Sequence, residues 1–578
     1  MNYNVLIKKG GLPVKNYETL LETAMGSKKS ALVLKNGKII NVFTGEILSG
    51  DIAVEDGYIA GIGSYEGEKE VDLEGRYVAP GFIDAHLHLE STMVTPPELI
   101  GNAVAWGTTT YVVDPHEAAN VKGKDGIDYI LNTTAHVPAN VYVMMPSCVP
   151  ATAFEDNGCV FRAEDMKEYL NNPRILGLGE VMDYVSVVNG GSDMVDKLNL
   201  FRGKTIDGHA PGLSEKDLNT YALAGIQTDH ECVDYEYAMR ERRLGMHVHI
   251  REGSAARNLE ALVKGIVENK VSTEGFSFCT DDKHIEDIRR EGHISFCIKK
   301  AVSLGIPPVQ AIRMATIQAA RCYKLDHLGA VAPGYQADLV ILQDLDELAI
   351  TDVYYKGVPV REFNVDKQVL DANHPLKNTV HLKEIRPEDL RYRPGESPHA
   401  AVLLLPGQIV TKKFYGTLPC EEGCFKQNAE YNKLAVLERH HATGKIGIGA
   451  VIGFGIQDGA IASSVSHDSH NISVIGDNDE DMLLAVRELE RVQGGYTIVS
   501  RGKVVDTLPL PIMGLMSDAG FEQVNDLLQR MTKTAHEMGV PKGVEPFVTL
   551  SFIALPVIPE IRVTPRGLFD VTTFSFVE

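Results

Sequence analysis

The run Val78-Ala-Pro-Gly-Phe-Ile-Asp-Ala-His-Leu-His-Leu-Glu90 limits what this chain can fold into more than any other stretch. The apolar segment after Pro80-Gly81 reads as a buried strand. Side chains alternate along a strand, so His86 and His88 point to the same side. Two imidazoles on one face are half of a metal site. The competing reading is a pair of core histidines bonded to backbone, and the other strand ends decide between the two.

Residues 81–325 alternate strand and helix patterns, as expected for parallel strands joined by crossover helices. Eight strand candidates end near His86, Asp114, Ser147, Glu180, His209, His230, Glu252 and Asp281. Helical spacers are predicted at 163–171, 214–224, 233–244 and 255–269, with two closing helices at 285–304 and 308–323. Eight such strands close into a (β/α)8 barrel, whose active site lies at the C-terminal strand ends. Those ends carry His86, His88, Glu180, His209, His230 and Asp281. Six metal-competent residues in these places point to a binuclear centre in which a carboxylate bridges two cations. Glu180 is the expected bridge.

Text before and after the barrel is of another kind. Leu20, Leu21, Ala24 and Met25 have helical spacing, giving a helical extension over 1–28. Short strands with Asn36-Gly37 and Asp56-Gly57 turns indicate a β-sandwich over 29–80. Strand text returns over 326–382 and is expected to complete that sandwich. The charged, proline-bearing stretch 383–398 reads as a linker. Residues 399–578 form a third unit of mixed α+β text, with helices at 479–493 and 521–538.

At 578 residues the chain is too long for one core. Its formal charge of −22 repels polyanions, which argues against nucleic acid and anionic membranes as partners. A small neutral nucleobase remains compatible. The N-terminus lacks an apolar signal core and no run of 18 apolar residues occurs, so a cytoplasmic location is expected. Eight scattered cysteines do not make a disulfide framework. His88-Leu-Glu90 with Pro419-Cys420-Glu-Glu-Gly-Cys424 imitates the signature of cytidine-type zinc deaminases. Three residues rather than two separate the cysteines, however, and His88 already belongs to the strand-borne His-x-His.

Over residues 31–360 the order of motifs resembles the amidohydrolase superfamily: Pro-Gly-Phe-Ile-Asp-Ala-His-Leu-His, Gly107-Thr-Thr-Thr, the later histidines, Asp281, and Gly329-Ala-Val-Ala-Pro-Gly-Tyr-Gln-Ala-Asp-Leu-Val. Further segments resemble the prokaryotic adenine deaminase family. They are His88-Leu-Glu-Ser-Thr-Met, Val113-Asp-Pro-His-Glu-Ala-Ala-Asn, Gly177-Leu-Gly-Glu-Val-Met, Asp207-Gly-His-Ala-Pro-Gly, Thr228-Asp-His-Glu, Arg251-Glu-Gly-Ser, Cys279-Thr-Asp-Asp and Ser464-Val-Ser-His-Asp-Ser-His-Asn. Many binuclear superfamily members carry a carboxylated lysine on strand four; here the position is Glu180, as in the adenine deaminases.

The resemblance implies hydrolysis of adenine to hypoxanthine and ammonia by a metal-activated hydroxide, in purine salvage. Alternatives are a cyclic amidase of the dihydroorotase or imidazolonepropionase kind and a non-catalytic structural relative. Mixed imidazole and carboxylate donors suit Mn, Fe or Zn, and the resemblance favours Mn or Fe. Catalytic roles are expected for Asp281, as proton shuttle, and for Glu180. Glu90, Asp114, His116, Glu117, Arg251, Glu252 and Ser254 are candidates for orienting ligands or contacting the purine, against the alternatives of polar loops and a strand-end ion pair. Asp282 and His284 read as a solvated turn. His467 and His470 lie either on a surface turn or on a loop over the barrel mouth of this or a partner subunit. A homodimer is the expectation from symmetry statistics.

Overall fold

The computed structural model describes residues 17–254, 256–395 and 397–577. Residues 1–16 of the expected N-terminal extension, together with Ala255, Glu396 and Glu578, lie outside the described residues. Within that extension Tyr17–Ala24 is a helix, and its Leu20 packs on Ala53 and Ala60.

Ahead of the barrel, Ser30–Ile40 is one strand that pairs antiparallel with Ile47–Glu55. The expected hairpin turn at Asn36-Gly37 is instead a bulge in that pairing, with Asn36 at φ 55°. The same dipeptide suits either role, and the register of the partner strand decides. Asp56-Gly57 does turn a two-residue hairpin, between Ile47–Glu55 and Tyr58–Gly63. Leu339–Leu342 then pairs with Tyr77–Pro80, so segments on both sides of the barrel complete a single eight-stranded sheet.

The barrel strands are β1 (Phe82–Leu87), β2 (Thr108–Val113), β3 (Asn140–Met145), β4 (Ile175–Val181), β5 (Thr205–Gly208), β6 (Thr228–Asp229), β7 (His247–Arg251) and β8 (Phe276–Cys279). They run parallel as β1 to β5 and as β6 to β8. Gln227 N–H donates to the Ile206 carbonyl at 2.9 Å across one seam. Across the other, Asp281 N–H donates to the His86 carbonyl at 3.0 Å, and His88 N–H to the Asp281 carbonyl at 3.2 Å. That last seam closes the (β/α)8 barrel and sets the first and last strand ends side by side. The expected helix over 285–304 is two helices, Ile285–Glu291 and Ile294–Ser303. Gly292 breaks them at φ 92°, where a Cβ would meet the Trp106 ring at 2.9 Å.

The C-terminal unit is built on a second eight-stranded sheet, with Asp479–Val492 against it and Phe521–Glu537 near its edge. One apolar cluster runs from Leu87, Val94 and Val121 of the barrel into Val436, Ile512 and Phe521. The unit is thereby seated on the barrel mouth. Cys420 and Cys424 lie on a small separate hairpin with Cys420 exposed, and neither lines the barrel-mouth cavity.

Candidate metal centre

Glu180, at the end of β4, stands in the middle of a ring of imidazoles. Its Oε1 faces His88 Nε2 at 3.2 Å, His116 Nδ1 at 3.4 Å and His86 Nε2 at 3.8 Å. Its Oε2 faces His209 Nδ1 at 2.7 Å and His230 Nε2 at 3.4 Å. One carboxylate thus divides the histidines into two sets, one per oxygen. Asp281 Oδ1 lies 3.4 Å from His86 Nε2 and 3.2 Å from His88 Nε2, a consequence of the β8/β1 seam.

Supporting groups fix these side chains. His88 donates from Nδ1 to the Asp114 carbonyl at 2.8 Å, leaving Nε2 as the free donor atom. Asp114 Oδ2 accepts the Glu180 N–H at 2.9 Å. Burial pushes the Asp114 carboxyl up to about 6. Arg251 Nη1 donates to Asp281 Oδ2 at 2.8 Å and pairs with both oxygens of Glu231. Burial alone would raise Asp281; Arg251, followed by His86 and His88, holds it well below the usual carboxylate range. Glu180 is likewise opposed by burial and held well below that range by His209, His230 and His88. Burial, with His230 close by, lowers His86 to about 4, so its imidazole is neutral near pH 7.

His86 Nε2 and His116 Nδ1 are buried without a hydrogen-bond partner. Unpartnered imidazole nitrogens converging on two ionised carboxylates form a donor set that fits divalent cations. The groups His86–His88–Glu180, Glu180–His209–His230 and His86–His230–Asp281 each bring their ligand atoms within 4.8 Å of one another.

A cavity of about 660 Å³ opens over this centre. On the barrel side it is lined by His88, His116, Glu180, His209, His230, Arg251 and Asp281; on the other, by residues 407–410, His467, Asp468, Phe552, Leu555, Val557 and Ile558 of the C-terminal unit.

Other candidates fall differently. Glu90 is buried beside the centre, its Oε1 accepting the Ala118 N–H at 3.0 Å. Glu117 accepts from Ser91 Oγ at 2.9 Å and faces His467 Nδ1 at 3.3 Å. Glu252 points away from the cavity to Lys300 at 2.7 Å and Arg257 at 3.4 Å, and Ser254 donates to Asp287 at 2.5 Å beside a neighbouring cavity. Neither reaches the centre, because side chains alternate at the end of β7 and only Arg251 faces inward.

Residues 467–471 are buried and come from this same chain, so they are not a surface turn. His467 stacks on Phe552 with ring centroids 4.5 Å apart. His470 is fully buried behind it, its Nδ1 accepting the Ser466 N–H at 3.3 Å. Asp282 and His284 are both half-buried rather than a freely solvated turn, and Asp282 lies against Ser91 Oγ, which it shares with Glu117, and lines the cavity.

Glu231, Asp468 and the apolar wall were not singled out from the sequence. Glu231 directly follows His230 and Asp468 directly follows His467, and that adjacency was the available signal. Asp468 Oδ1 lies 3.7 Å from His116 Nε2.

The amidohydrolase family model matches residues 77–360, and the adenine deaminase C-terminal domain model matches residues 408–575. The adenine deaminase of Desulfitobacterium hafniense (strain Y51) is 58% identical over 564 residues, covering 97% of this chain and 99% of that protein. Adenine deaminase 2 of Carboxydothermus hydrogenoformans is 47% identical, over 98% of this chain and 99% of its own. The adenine deaminase of Clostridium acetobutylicum is 46% identical, over 97% and 99%.

Proposed function

This chain belongs to the adenine deaminase family within the amidohydrolases, and from that premise we propose that it hydrolyses adenine to hypoxanthine and ammonia at the Glu180 centre. The observation that carries the reading is the division of five imidazoles between the two oxygens of one buried carboxylate. His86, His88 and Asp281 would hold one divalent cation, and His209 and His230 the other, with Glu180 between them. Such cations supply Lewis acidity that brings the pKa of water from ~16 towards ~7.

The chain's own residues do the remainder. In the net reaction a C6–O bond forms, the C6–N6 bond breaks, and the water's protons go to the ring and to departing ammonia. Asp281 is the proton carrier: Arg251 occupies Oδ2, so Oδ1, the oxygen that faces His86 and His88 and would meet the cation, is also the one placed to take and return a proton. Glu231 keeps Arg251 in place. Asp114 orients both His88 and Glu180.

The mixed donor set suits manganese, iron or zinc, and the kinship with adenine deaminases makes manganese or iron the proposed metal, with zinc as the third candidate. The proposed setting is purine salvage in the cytoplasm, by a homodimer. The full-length likeness to adenine deaminases disfavours both the cyclic amidase and the non-catalytic alternatives. The test is ammonia release from adenine by protein loaded with Mn(II), against the same protein after chelation. Equal rates, or no ammonia in either, would refute the proposal.

A further inference from the structure

Arg562 is 1% exposed, and among the described residues no carboxylate pairs with it. Burial pushes its guanidinium down to about 9. An unpaired buried cation is costly unless its donors are satisfied. Here backbone carbonyls satisfy them: Nε donates to Ile558 at 2.7 Å, Nη1 to Phe552 at 3.3 Å, and Nη2 to Ile409 at 2.8 Å and Pro559 at 3.0 Å.

The Phe552 carbonyl ends a helix, and the other three carbonyls belong to two irregular segments. One is the connection between the strands His399–Leu404 and Thr411–Gly416; the other joins the helix Pro546–Phe552 to the strand Ile561–Thr564. Phe552 and Pro559 also accept backbone N–H groups, from Leu555 at 3.2 Å and Thr411 at 3.0 Å. Among the described residues the Ile409 and Ile558 carbonyls accept from Arg562 alone and depend on it for a partner. The same two segments, with Phe552 at the helix end, supply Gln408, Ile409, Val410, Leu555, Val557 and Ile558 to the cavity wall opposite the metal centre. Arg562 itself lines a second cavity of about 340 Å³ on the far side of that wall.

We propose that Arg562 is a positioning residue for adenine: its guanidinium fork clamps the two loops into one wall, and that wall holds the purine over the centre. The inference rests on the deaminase reading for its substrate, while the clamp itself is independent of it. A lysine keeps the charge but offers a point of three donors in place of a planar fork, and it cannot span four carbonyls.

For Arg562→Lys the expected result is a KM for adenine raised at least tenfold, with kcat changed less than threefold and metal content equal to wild type. In Arg562→Ala, added guanidinium ion reaching the second cavity should bring KM back toward wild type. A purely structural role would lower thermal stability without this split or the rescue. Unchanged KM, or kcat falling in step with metal content, overturns the proposal.

If neither variant folds, amide hydrogen exchange on the wild-type holoenzyme decides. The N–H groups of Gly407, Gln408, Leu555 and Ile558 bond only within or between loops. A clamped wall protects them as strongly as Ile561–Thr564, whereas exchange at loop rates refutes the clamp. This measurement needs no turnover, so it separates failure of the clamp from failure of the deaminase reading.

Discussion

Asp281 shows how one side chain is given one task. Its two oxygens have different neighbours, a guanidinium on one and two imidazoles on the other, so a proton taken up has a single place to sit. Asp281→Asn should lower kcat by ~10²–10⁴-fold while most of the metal is retained. Metal analysis beside turnover separates the cases, since a parallel loss of both would make Asp281 chiefly a ligand. The six residues on the strand ends were legible from the sequence because a barrel brings all its C-terminal strand ends to one mouth. Glu252 was misplaced because reading Arg251, Glu252 and Ser254 as a cluster ignored the alternation that sends neighbours to opposite sides.

At the scale of elements, the close approach of β4 to the Asp114 side chain at the end of β2 is a constraint beside the centre. A Cβ on Gly179 would sit 2.2 Å from Asp114 Oδ2, the atom that accepts the Glu180 N–H. Gly179→Ala should therefore cost ~1–3 kcal/mol from overpacking and also release Glu180, lowering metal content per chain. A variant with wild-type melting temperature and full metal occupancy would contradict this. Legibility at this scale was uneven. The strands of the barrel could be located by their apolar runs and ligand-bearing ends. The break at Gly292 could not, because a glycine inside a helical pattern shows no φ until Trp106 is placed beside it. Nor could the wall at 407–410 and 555–558 be found, since glycine, glutamine and aliphatic residues carry no chemical signature.

Considered whole, the molecule encloses its chemistry between two units that share one apolar cluster. Cations bound only by the folded form stabilise it by mass action, about 2.7 kcal/mol at a hundredfold excess over Kd. Chelation should accordingly lower the melting temperature by several degrees, with Mn(II) restoring it; a calorimetric trace indifferent to chelator would count against cations at this centre.

The first sheet holds a consequence of a different sort. Tyr77–Pro80 pairs on one side with Ser30–Ile40, which precedes it, but gains its neighbour on the other side only when Leu339–Leu342 arrives, after the whole barrel has been translated. At ~5–20 residues per second that delay is on the order of tens of seconds. During it, the leading part of the nascent polypeptide carries an open, adhesive border, an interval of exposure to aggregation that closes only after Leu339–Leu342 and its own neighbour Ile350–Tyr355 have been made.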